Sequence, residues 1–339
     1  MQFQEFIPLA SYSTFGIGGP ARWFAEAASE EDVAAALDFS TSRNLPLFVL
    51  GGGSNLLISD KGYPGLVLHV ALRGVRQDGD VFHVASGESW DAFVSHAVSW
   101  NYGGIECLAG IPGIVGATPV QNVGAYGQEV AETITAVRAY DTQTGTFVTL
   151  TATDCGFAYR HSIFNSTERG RYLVTEVSYT LRPHAAPHLT YADLQRRFPA
   201  GSQPTLVEVS AAVREIRHSK GMLIVPGEPD CRSAGSFFKN PVVHRDHYER
   251  IAASSPVPVP SYPAGEGQVK LPAAWLVEQA GFTKGYGEGP AGISSRHTLA
   301  LVNRGGAKAS DVLTLATQIL HGVYTKFAVT LEMEPVVVA

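Results

Sequence analysis

Helical and strand periodicities alternate along the chain, with glycine-rich breaks between them. Residues 21–27 read as a strand, and Ser29-Glu30-Glu31-Asp32 reads as a helix start, with Ser29 able to cap and acids suited to the positive helix end. Val33, Ala34, Ala36 and Leu37 give that helix an apolar side to about Ser42, and residues 46–50 form a short buried strand. This β-α-β unit ends in Gly51-Gly52-Gly53-Ser54-Asn55-Leu56-Leu57. A glycine turn after a buried strand is where α/β folds hold phosphates. Leu56 stands where a dinucleotide fingerprint wants glycine, so the turn is a different kind of phosphate loop, with Ser54 and Asn55 adding donors.

Further strands are expected at 67–70 and 81–85, then a helix over 90–100 capped by Ser89. Residues 136–140 and 147–150 flank a turn at Thr142-Gln143-Thr144-Gly145, and 172–181 is strand-like. Pro183, Pro187, Pro199 and Pro204 punctuate a domain boundary. A helix from Thr205 puts Leu206, Val209, Val213 and Ile216 on one face. Arg214, Arg217 and Lys220 near its end either suit the helix dipole or meet an anionic ligand. Residues 251–265 read as an extended, proline-rich loop. Pro272 opens a helix that Gly281 ends, 297–302 reads as a strand, and a helix runs from Ser310 to about Gly322. A last strand over 326–338 would put Glu332 and Glu334 on one face, without choosing between them.

One stretch stands apart. Residues 107–128 hold no charged side chain and carry Gly110, Gly113, Gly116, Gly124 and Gly127. Such backbone can cradle phosphates through its N–H groups, or it can be a long apolar loop through a core. Its glycines, prolines, Gln121 and Asn122 leave too little apolar surface for a membrane span. Gly16, Gly18 and Ala21 fit G-x-G-x-x-A only nominally, because no buried strand precedes them. Ser236, in Ala234-Gly235-Ser236-Phe237-Phe238-Lys239-Asn240-Pro241, lies outside any G-x-S-x-G elbow, which leaves a proton-donating, capping or plain turn serine.

The bulk numbers narrow the field. At 339 residues, 45% hydrophobic and 17% charged, the chain is long enough for two or three domains with a sizeable core. A net charge of −6 speaks against a general nucleic-acid binder. Three widely spaced cysteines fit a reducing compartment, no signal peptide is expected, and the histidine spacing suggests no metal site.

Taken together, several segments resemble the UDP-N-acetylenolpyruvoylglucosamine reductase (UDP-N-acetylmuramate dehydrogenase) family of bacterial peptidoglycan synthesis. They are Thr14-Phe15-Gly16-Ile17-Gly18-Gly19, Leu50 to Leu57, Ile111-Pro112-Gly113 through Gly127, and Tyr159-Arg160-His161-Ser162. Arg217 with Lys220-Gly221-Met222, Gly235 to Pro241, and Leu331-Glu332-Met333-Glu334 complete the set. The resemblance spans about Thr14 to Glu334, and the ordered set is far more specific than any member of it.

It implies an α+β fold: a two-lobed FAD-binding domain of the vanillyl-alcohol-oxidase (PCMH) type over 1–183, with lobes about 1–71 and 72–183, then a substrate-binding α+β domain over 184–339. It implies non-covalent FAD reduced by NADPH, which gives way to UDP-N-acetyl-3-O-(1-carboxyvinyl)-glucosamine. Hydride then passes from flavin N5 to the vinyl methylene, and the neighbouring carbon is protonated. The resemblance makes Arg160, Ser236 and Glu334 catalytic. A guanidinium fork suits the substrate carboxylate, Glu334 is expected with a raised pKa, and Ser236 donates the proton. Gly51, Gly52, Gly53, Ser54, Asn55, Leu56, Ile111, Pro112, Gly113, Gly116, Thr118, Gln121, Asn122, Gly124, Ala125, Tyr126 and Gly127 would hold the cofactor. Tyr159, Tyr191, Arg217, Lys220, Asn240 and His297 would meet the substrate, with Tyr191 marking the subgroup that has an extra tyrosine loop. His161 stands where some members have Asp. A cytoplasmic enzyme of cell-wall synthesis, serving cell shape and division, is implied, with a small UDP-sugar as partner and neither nucleic acid nor membrane. A flavin oxidase of the same fold and a non-catalytic nucleotide-binding protein remain the alternatives.

Overall fold

Residues 1–228 and 230–339 are described by a computed structural model. The chain forms two compact units. The first comprises Met1–Ile7, Ala21–Gly53 and Tyr63–His218; the second comprises Pro8–Pro20, Ser54–Gly62 and Ser219–Ala339. Helices and strands mix in both, as an α+β fold requires.

In the first unit the expected β-α-β appears. Strand Pro20–Ala27 leads through helix Glu30–Ser42 to strand Leu47–Leu50, and both strands pair in parallel with Tyr63–Val70 between them. Ser29 caps the helix by accepting from Asp32 N at 3.2 Å. The second sheet is antiparallel, in the order Thr146–Thr151, Ile134–Asp141, Tyr172–Thr180, Val81–Ala85, Val75–Asp78. Glu30 joins helix to sheet: Arg138 donates Nε and a terminal N–H to it at 2.7 and 2.8 Å, and Thr175 donates at 2.8 Å. The Arg138 guanidinium holds Glu30 below the usual carboxylate range against the opposing effect of burial. Helix Trp90–Ser99, capped by Ser89, packs Trp90 and Phe93 against Phe82 and Tyr179 in a core that removes large aromatic surfaces from water.

Residues 184–218 belong with this unit. Leu194 of helix Ala192–Arg197, and Leu206, Val209, Ala212 and Val213 of helix Leu206–Ser219, share the core of Trp90 and Tyr179. The compact units therefore part after His218, whereas the prolines suggest a break near 183. The apolar face of the second helix is what holds that segment here.

In the second unit, helix Ala309–Phe327 buries Val312, Leu315, Ala316, Ile319, Val323 and Phe327, one stripe at helical spacing. Helix Ala273–Gln279 and the strand pair Ala291–Ile293 and Leu301–Asn303 complete that core with Phe15, Phe237 and Phe238. Asp60 receives Ala309 N and Ser310 N, the latter at 3.1 Å, and so caps the long helix from a distant part of the chain. Strand Leu56–Ile58 pairs in parallel with Val336–Val338.

Four expectations about elements are corrected. The long helix runs on to Phe327, because the apolar stripe continues past Gly322, so Lys326 is helical. The last strand is only Val336–Val338. Strand Leu301–Asn303 is shorter than 297–302 implied, because His297 lies in the turn before it. Residues 251–254 end a helix, Arg245–Ser254, and strand Tyr262–Pro263 follows within the stretch read as one loop. Among the described residues, no helix is long and apolar enough to cross a membrane.

Candidate active site

The glycine stretch of the first unit is a packed frame. Trp90 N donates to Gly113 O at 3.1 Å, Val115 N to Glu88 O at 2.9 Å and Gly116 N to Ser86 O at 2.8 Å, so Gly113–Gly116 lies along the chain that starts helix Trp90–Ser99. The other glycine turn meets it directly. A Cβ on Gly52 would stand 2.6 Å from Gly113 Cα, and one on Gly51 2.9 Å from Ile114 Cδ1. Thr118 is buried, its hydroxyl 2.7 Å from the Tyr179 hydroxyl, and burial raises the Tyr179 pKa.

Beyond Thr118 the main chain is forced. Asn122, Tyr126 and Arg160 have φ of 44°, 50° and 55°, values that side chains with a Cβ rarely take. Gly124–Ala125 and Gln128–Glu129 pair as a hairpin whose turn is Tyr126-Gly127, both at positive φ, the two-residue turn that suits strand twist. Asn122 fixes one side: its amide donates to Glu129 at 2.8 Å and to Ala158 O at 3.0 Å, and its oxygen accepts from Ala131 N at 3.1 Å. Arg160 donates to Gly124 O at 2.7 Å, and its guanidinium lies 5.2 Å from the centre of the Tyr159 ring, which is 46% exposed. Arg217 is buried. Its Nε donates to Gly110 O at 3.0 Å and it bonds Tyr126, while burial lowers its pKa. Tyr191 meets Tyr126 edge to face at 5.2 Å.

The second unit gathers another group. Phe237 N donates to Leu299 O at 2.8 Å and Phe237 O accepts from Glu334 N at 2.9 Å, so Ser236 and Glu334 sit on adjoining backbones. Phe238 bridges Met333, and Asn55 Nδ2 donates to Glu334 O at 3.3 Å. The two acids are told apart here. Glu332 is exposed and pairs with Lys239 at 3.3 Å, whereas Glu334 is half-buried, its main chain held from both sides. His297 Nδ1 accepts from Leu299 N at 2.9 Å, which leaves the proton on Nε2. Burial first, then Lys220 and Lys284 nearby, hold His297 at a pKa of about 4. Asn240 accepts from Ala273 N at 2.9 Å and thus serves the start of helix Ala273–Gln279.

The site residues thus fall in two sets. Gly51 to Gly53, the 111–127 frame, Tyr159, Arg160, Tyr191 and Arg217 belong to the first unit; Ser54 to Leu56, Lys220, Ser236, Asn240, His297 and Glu334 belong to the second. Two groups escaped sequence reasoning. Asp91 accepts from Gly110 N and from Arg214, both at 2.6 Å, and its only signal was an acid in a helix's first turn. Glu106 is 1% exposed and receives three N–H groups; its signal was a lone acid at the border of a long uncharged run.

The frame fits a dinucleotide cofactor. Two glycine-rich turns meet backbone to backbone at Gly52 and Gly113, where a Cβ would part them, and no charged side chain in 107–128 would oppose a phosphate. Among the described residues no cluster of His, Cys, Asp or Glu could hold a metal. A family model described as "FAD binding domain" matches residues 21–151, which makes the chain a flavoprotein of the FAD-dependent oxidoreductase class. A second, "UDP-N-acetylenolpyruvoylglucosamine reductase, C-terminal domain", matches residues 228–338. The reductase of that name from Streptomyces coelicolor is 47% identical, over 98% of this chain and 89% of its own length. That from Thermobifida fusca is 45% identical, over 99% and 98%. The crystal structure of the Thermus caldophilus reductase covers 100% of this chain and 98% of its own, with a TM-score of 0.69 at 26% identity. The chain belongs to the UDP-N-acetylenolpyruvoylglucosamine reductase family.

Proposed function

We propose that this protein uses NADPH and non-covalently bound FAD to reduce UDP-N-acetyl-3-O-(1-carboxyvinyl)-glucosamine to UDP-N-acetylmuramate. It acts in the cytoplasm, in the synthesis of peptidoglycan precursors that cell shape and division depend on. The observation that carries this reading is the end-to-end relation to reductases of that name, at 47% identity over 98% of the chain. In this reading 1–183 is the FAD-binding domain and 184–339 the substrate domain.

FAD supplies a two-electron carrier between NADPH and the vinyl group. The chain's own residues do the rest. Negative charge grows beside the substrate carboxylate as the methylene carbon is reduced, so fixed cations and donors there lower the barrier. Arg160 offers a planar fork to that carboxylate, and its hydrogen bond to Gly124 O fixes the fork's direction. Ser236 gives its hydroxyl proton to the carbon next to the carboxylate. Its position is fixed by Phe237, which is buried and bonded through both its N–H and its C=O. Glu334 assists the same carbon, and the bonds to its main chain support that role. Lys220 and a neutral His297 meet the diphosphate, His297 through Nε2–H, and Tyr159, Tyr191, Arg217 and Asn240 complete the substrate contacts.

The test is product analysis under nitrogen. Purified protein, NADPH and the enolpyruvyl sugar nucleotide should yield UDP-N-acetylmuramate, one for each NADPH consumed. NADPH consumption without that product, or only in air, contradicts the proposal.

A further inference from the structure

We propose that Glu106 is a positioning residue: a buried carboxylate that pins His188 and so holds Tyr191 in place for the uridine diphosphate sugar. This deepens the function proposed above and rests on Tyr191 as a substrate contact.

A carboxylate at 1% exposure is costly unless its lone pairs are filled. Those of Glu106 are filled by neutral donors. Oε1 receives Gln128 Nε2 at 2.9 Å and His188 N at 2.9 Å, and Oε2 receives Gly104 N at 2.8 Å. Its neighbour holds the other side of the same residue, since Cys107 Sγ donates to His188 O at 3.2 Å. Burial and the adjoining Glu106 charge push the Cys107 thiol far up, so it stays an S–H donor. His188 is therefore gripped at both its N–H and its C=O by consecutive residues. Gln128 closes the set by accepting from Cys107 N at 2.8 Å.

What is pinned leads to Tyr191. The His188 ring bonds the Thr190 hydroxyl at 2.5 Å. Both lie over Gly127, where a Cβ would stand 2.7 Å from Thr190 Oγ1. Tyr191 then meets Tyr126 edge to face while the residue stays 40% exposed. Residues 188–191 bury no side chain fully, so they are held by this anchor on one side and by Leu194 on the other. Only an acid suits the position, because a glutamine there would turn an N–H group toward an N–H group.

Glu106→Gln decides the matter in the FAD-loaded protein. Losing a hydrogen bond to a buried charge should raise hydrogen exchange over residues 188–195, where Gln195 N bonds Tyr191 O, and the KM for the sugar nucleotide, by about tenfold each. Flavin bleaching by NADPH, and exchange in strand Ile134–Asp141, should change less than about twofold, since Tyr191 serves the sugar nucleotide and the strand pairs only with its sheet neighbours. His188→Pro, compared with His188→Ala, removes the N–H while also fixing φ, and should give the same pattern. Unchanged exchange and KM in both variants overturn the proposal, and so does equal loss in both half-reactions with exchange raised throughout. If the wild-type protein does not reduce the sugar nucleotide, the proposed function fails and the exchange result still decides whether Glu106 is the anchor.

Discussion

Asn122, Tyr126 and Arg160 hold left-handed backbone within or beside one segment, and so do His184, Asp230 and Ala328 elsewhere, so it is their shared neighbourhood and not the strain that sets the three apart. Tyr126 and Arg160 give no sign of left-handed backbone in the sequence, whereas asparagine, as at 122, takes it more readily than most. Arg160 and Ser236 stand out through motifs alone, since spacing leaves a proton-donating, capping or turn role open for Ser236. Asn240 shows the reverse: a motif residue whose visible partner is a helix N-terminus. For Ser236→Ala the expected outcome in stopped flow is flavin reduction by NADPH within about twofold of wild type, with reoxidation by the sugar nucleotide slowed about 10²- to 10⁴-fold. His297 gives a pH prediction. Its pKa falls from 6.5 unfolded to about 4 folded, so between those values the unfolded chain binds more protons. Its contribution is full above pH 6.5 and is lost as pH falls toward 4, a change of roughly 3 kcal/mol. In His297→Gln, thermal unfolding followed by circular dichroism should lose that part of the slope in this window.

Elements with a clean period were legible, and those stabilised by distant partners were not. Helix Glu30–Ser42 and strand Val81–Ala85 follow from capping and alternation. Helix Arg245–Ser254 was hidden because its residues buried only Ile251, too little for a stripe. The start of helix Ala309–Phe327 was expected within one residue, at Ser310, but its cap could not be read, because it comes from Asp60, far away in sequence. Asp60→Ala should therefore lower stability by about 1 kcal/mol. The same helix ends with Ala328 at φ 52°, a place made for glycine, so Ala328→Gly should raise stability by about 1 kcal/mol. Denaturant titration of both variants checks the signs, and an unchanged midpoint in Asp60→Ala would remove the cap.

At the scale of the whole molecule, the family could be read from an ordered set of motifs, while the compact units could not, because segments distant in sequence join each. The glycines argue for a shared purpose across the first unit. Gly52→Ala would push its Cβ against Gly113, and the purified variant should carry much less flavin by its absorbance than wild type, with strand and helix content unchanged. Full flavin content would remove the Gly52–Gly113 approach from the cofactor site. The central claim is that electrons pass from NADPH through bound flavin to an enolpyruvyl sugar nucleotide. The most direct measurement is the visible spectrum of the purified protein without oxygen: NADPH should bleach the flavin, and enolpyruvyl-UDP-N-acetylglucosamine should restore its colour at the turnover rate. A flavin that NADPH leaves yellow, or that recovers only when air is admitted, would contradict the account.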